Sequence, residues 1–134
     1  MGVETAAVAA AVLFGVVALF QVTLALGVPW GAFAFGGRAV REDGTLPAGY
    51  RAASAVTAVV LVFFAVVILT RGGVIGDSGD STWVTVMSWV IVAFMAINTP
   101  MNLMGRHGIE KYVFGGITLV LVVLCAIVAA AGPA

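Results

Sequence analysis

The sequence predicts an all-α integral membrane protein, a four-helix up-down bundle. Three observations predict it. Only 9% of the 134 residues are charged and 63% are hydrophobic, against roughly 25% charged in an ordinary soluble domain. Charge-free stretches cover residues 5–37, 52–70, 81–105 and 112–134. Each can supply the roughly 18 apolar residues that cross about 30 Å of hydrocarbon as a helix. Short connections between the later stretches make consecutive helices antiparallel neighbours. The length accommodates one transmembrane domain over residues 1–134 and leaves no room for a second.

The first span runs from about Ala6 to Gly27. Gly27-Val28-Pro29 ends it, because proline cannot continue the helical ladder. The N-terminus has no basic region and carries Glu4, so this segment reads as a retained span and not a cleaved signal. A loop from Trp30 to Tyr50 follows, rich in glycine. The second span runs from about Arg51 to Thr70 and stops at Arg71-Gly72-Gly73; a polar loop holds Asp77 and Asp80. The third runs from about Trp83 to Leu103. Gly105-Arg106-His107-Gly108 is a tight connection, and the fourth span covers about Ile109 to Ala131.

Basic residues set the orientation. Arg38, Arg41, Arg51, Arg106 and Lys111 fall on one side and Arg71 on the other. Lys and Arg stay preferentially in the cytoplasm, so the first and third loops are expected there and both termini outside. Trp30, Tyr50, Trp83 and Tyr112 fall at the expected interfaces, where amphipathic rings prefer to sit. The first and third spans both close on Pro (Pro29, Pro100) followed by Gly and Arg. This faint repeat suggests two parallel-repeat helical hairpins; the plainer reading is that helix ends use Pro and Gly anyway.

No Asp, Glu, Lys, Arg or His lies in the middle of a span. Such residues mark proton relays, so proton coupling is not expected. Uncharged polar residues carry more information. Gln21, Thr57, Asn98 and Thr118 lie one to a helix, all about 9 Å from the cytoplasmic interface at 1.5 Å per residue. One reading is a hydrogen-bonded layer gluing the helices, since amides and hydroxyls in hydrocarbon need partners. The other is the floor of a pocket open to the cytoplasm. Asn102 stands four residues from Asn98, on one face around Pro100. Pro100 frees the carbonyl of Ala96, and the asparagines could cap it. A second candidate is an anion or headgroup site made by Arg38, Arg41, Arg51, Arg106 and Lys111, with Glu42, Asp43 and Glu110 close in sequence.

Other chemistries lack their residues. His107 is the only histidine and Cys125 the only cysteine, so a two-histidine haem site, a zinc site and a thiol–imidazole pair are not expected. Zero formal net charge offers no basic surface to nucleic acid. No cofactor or metal is expected. Ala7, Ala11 and Gly15 recur at four-residue spacing and could let a second helix approach.

The segments Phe20-Gln21, Leu24 to Gly31, Gly36-Gly37-Arg38, Leu46-Pro47 and Arg51 to Ser54, with Asn98, Asn102, Glu110-Lys111 and Phe114-Gly115, resemble a group of small, uncharacterised bacterial four-span proteins. The resemblance implies four spans in a bacterial cytoplasmic membrane and supplies no activity. The expected function is non-enzymatic: binding a membrane lipid or small apolar molecule, or serving as an accessory part of a larger membrane complex. The alternative is a small homo-oligomeric transporter or channel without proton coupling.

Overall fold

The structure is a computed structural model that describes residues 1–133. It is all-helical among those residues, with helices α1 (Val3–Ala25), α2 (Ala48–Arg71), α3 (Thr82–Leu103) and α4 (Gly115–Ala131). A π-helical turn, Ile109–Phe114, runs into α4, so the fourth candidate span is Ile109–Ala131. All four are long and apolar enough to cross a membrane. They form an up-down ring in which α1 packs on α2, α3 on α4 and α1 on α4, while α2 and α3 are the least engaged neighbours.

Helix α1 buries Ala7, Ala10, Phe14 and Ala18 at spacings of three and four, with Ala6 beside them, a stripe that faces the core, while Leu24 faces the loop 1 end. The small residues at its start serve the fold. A Cβ on Gly72 would come within 2.6 Å of the Ala7 Cβ, so Ala7 is a close-packing position inside the bundle and not part of an outer docking face. Farther along, Phe14 meets Phe64 of α2 edge-on at 6.0 Å.

Glycine, more than proline, ends α1. Gly27 takes φ +92°; its N–H donates to the Leu24 carbonyl at 3.1 Å and the Val28 N–H to the Thr23 carbonyl at 3.0 Å. This pair of bonds, with a left-handed residue just past the end, satisfies carbonyls that the helix itself leaves free. Gly73, with φ +77°, ends α2 the same way through Leu69 and Thr70. Pro29 lies beyond α1, whereas Pro100 lies inside α3, so the two proline segments differ in structure.

Each end of α2 carries an arginine that closes a neighbouring helix. Arg51 Nε donates to the Ala25 carbonyl at the end of α1, at 3.1 Å. Arg71 is 8% exposed. Its Nη2 donates to the Ala129 carbonyl of α4 at 2.8 Å, and its Nη1 to the Gly79 carbonyl at 2.9 Å and Thr85 Oγ1 at 3.1 Å. A cation at a helix C-terminus also complements the helix dipole.

Loop 1, residues 26–47, is folded onto the end of the bundle. Gly31 N–H donates to the Gly44 carbonyl at 2.9 Å, and Leu24, Ala34 and Leu46 form a small second core with Phe20 and Ala39. It is tied to the α3–α4 connection: Arg106 N–H donates to the Gly36 carbonyl at 3.2 Å.

Candidate functional site

Beneath loop 1 lies a cavity of about 540 Å³, within the range of small-molecule sites. Gln21 of α1, Thr57 of α2, Asn98 and Asn102 of α3 and Thr118 of α4 all line it. Apolar walls come from Val17, Leu61, Phe94, Met95 and Phe114, and the roof from Phe33 to Gly36 of loop 1. Phe63–Trp83 at 6.4 Å and Phe64–Phe94 at 5.2 Å join α2 to α3. Toward loop 1, Thr57 and Tyr50 on α2 and Asn98 and Met101 on α3 line the cavity.

The polar residues share this cavity but do not form the hydrogen-bonded layer that glue would need. Thr57 Oγ1 donates to the Ala53 carbonyl at 2.8 Å, Asn98 Nδ2 to the Phe94 carbonyl at 3.0 Å and Thr118 Oγ1 to the Gly115 carbonyl at 3.0 Å. Each is satisfied on its own helix, because a short polar side chain reaches the carbonyl one turn back without help from a neighbour. Asn98 therefore caps the Phe94 carbonyl and not the Ala96 carbonyl that Pro100 frees. Gln21 Oε1 is buried with no partner.

Glu110 also lines the cavity and is 3% exposed. Its Oε1 accepts the Gly36 N–H at 2.9 Å, while Oε2 is buried without a partner. The bond reaches an unusual loop segment. Phe35, Gly36 and Gly37 take φ of +50°, +74° and +72° in succession, and Phe35 is the one non-glycine residue with positive φ among the described residues. Sequence reasoning grouped Glu110 with the basic surface residues and missed its burial. The signal was the spacing of Glu110, Phe114 and Thr118, which recur every four residues and so share one helical face; all three line the cavity.

The five basic residues do not converge. Arg51 is committed to the α1 terminus. Arg38 is exposed and lines the cavity rim. Exposed Arg41 lies in a turn closed by its N–H on the Thr45 carbonyl at 2.8 Å. Arg106 is exposed, and Lys111 lies 5.5 Å from the Tyr112 ring centroid. Asp43 is taken by Thr45, whose hydroxyl and N–H donate to Oδ1 at 2.6 and 3.0 Å. These bonds, the hydroxyl first, hold the Asp43 carboxyl below the usual aspartate range.

Fold and composition thus define a small multi-pass, four-span membrane protein. No family model, curated protein or solved structure matches the chain.

Proposed function

We propose that this protein resides in a bacterial cytoplasmic membrane, with loops 1 and 3 cytoplasmic, and binds a lipid or small apolar molecule in the cavity under loop 1 without transforming it. The observation that carries this reading is the cavity itself. It combines apolar walls from all four spans with a few polar groups gathered near one end, the arrangement that suits an amphipathic guest. Its position beside the loosely joined α2 and α3 gives a guest a lateral way in.

Native mass spectrometry of the full chain in mild detergent tests the proposal. The wild type is expected to retain an amphiphile from the membrane. Thr57→Trp, which fills the cavity from α2, is expected to lose it while keeping its melting temperature in detergent. A wild type that carries nothing and accepts no added amphiphile would overturn the reading. A discrete homo-oligomer lacking any retained guest would favour the transporter or channel alternative.

A further inference from the structure

Glu110 gives the cavity a chemical preference. The side chain is 3% exposed and its Oε2 has no partner. Gly105 packs against it, since a Cβ there would lie 2.6 Å from Oε2. The ion pair found among the described residues, Arg71–Asp80 at 3.6 Å, is at the other end of the bundle. Among the described residues no basic side chain reaches ion-pair distance of Glu110; Arg38 on the cavity rim and His107 act on it only from farther away. A buried carboxyl without a partner takes up a proton, and its carboxylate form is stable only where a cation and hydrogen-bond donors meet it. Gln21 Oε1 is a second buried, unpartnered acceptor on the same cavity. The Thr57 and Thr118 hydroxyls have given their protons to helix carbonyls, which leaves their oxygens as acceptors. The unmet demand at this site is for donors and positive charge.

We infer that the guest is an amphiphile with a primary ammonium head. The ammonium offers three donors and a charge. Glu110 is its charge partner, Gln21 a further acceptor, and the hydrocarbon tail lies along Val17, Leu61, Phe94 and Met95. This inference rests on the binding reading above. The same chemistry could come from an aminophospholipid of the bilayer or from a free long-chain amine.

The test titrates the full chain in mild detergent with dodecylamine, dodecanol and dodecyl sulfate, read by native mass spectrometry. Dodecylamine is expected to bind at least tenfold more tightly than dodecanol. Glu110→Gln, which keeps an acceptor for Gly36, is expected to erase that preference, so that the variant binds dodecylamine and dodecanol with equal affinity. Gln21→Leu is expected to narrow it, and carries the test if Glu110→Gln does not fold. Equal affinity for amine and alcohol, or tighter binding of the sulfate, would overturn the ammonium assignment and leave the cavity reading standing. Failure of all three to bind would defeat both. Nanodiscs of ethanolamine-headed and glycerol-headed phospholipids separate the sources. Selective retention of the ethanolamine lipid, lost in Glu110→Gln, assigns the bilayer; selectivity for dodecylamine alone assigns a free amine.

Discussion

One oxygen of Glu110 holds a loop segment in a conformation that its sequence resists. A non-glycine residue in the left-handed region costs about 1–2 kcal/mol, and Phe35 sits there at φ +50°. A hydrogen bond contributes about 0.5–1.5 kcal/mol, and one to a charged group about 1.5–3 kcal/mol, so the Gly36 N–H bond to Oε1 is of the size needed to offset it. Glu110→Ala should therefore speed amide hydrogen exchange across residues 33–38 while the amides of α1 and α4 stay protected. Unchanged exchange there would mean that the Leu24–Ala34–Leu46 cluster and the loop's backbone bonds hold it without Glu110. Asp43 makes a smaller, pH-dependent version of the same device. Its depressed pKa means that the turn with Thr45 is stabilised above the ordinary aspartate range and released as pH falls through the lowered value. The Thr45 amide resonance should follow that titration in the acid range and should lose its pH dependence in Asp43→Asn. Gln21, Thr57, Asn98, Asn102 and Thr118 were legible as a group, because polarity inside an apolar span stands out. Their bonding partners were not, because a hydroxyl chooses between its own helix and a neighbour by distance alone.

Helix ends were legible to within a few residues, since Gly, Pro and charge mark them, but the mechanism of closure was not. Arg51 and Arg71 read in sequence as orientation signals; in the fold they also cap α1 and α4. Arg71→Met should be severe. It removes the donors from the Ala129 and Gly79 carbonyls, and each buried group left unsatisfied costs about 1–3 kcal/mol. A loss of roughly 3 kcal/mol or more, measured as a lowered unfolding midpoint in detergent, is expected. A loss under about 1 kcal/mol would mean that water or headgroups replace the guanidinium. The small residues of α1 divide by face. Ala7 packs inside, whereas a Cβ on Gly15 meets nothing within 4 Å. Gly15→Leu is therefore expected to leave both the fold and the oligomeric state unchanged by size-exclusion chromatography with light scattering. Dissociation of an oligomer by this change would place that face in an interface.

At the scale of the whole molecule, the four-span bundle was legible because it needs only length, apolarity and short connections. The cavity was legible only as one of two readings of the polar residues, because nothing in a single apolar stretch records its distance from another. Loops 1 and 3 share one end of the bundle through the Arg106–Gly36 backbone bond, so a single label on each end decides the topology. Five basic residues lie on the loop 1 and 3 side and one on the other, and the preference of Lys and Arg for the cytoplasm is the basis on which loops 1 and 3 are proposed to be cytoplasmic. Ser78 and Glu42 are exposed, in the α2–α3 connection and in loop 1 respectively, and the native Cys125 is buried, so it gives no background. In intact cells a membrane-impermeant maleimide should modify Ser78→Cys at once and Glu42→Cys only after permeabilisation. The reverse pattern would put the cavity mouth and Glu110 on the outer side of the membrane, where the guest would come from the outer leaflet.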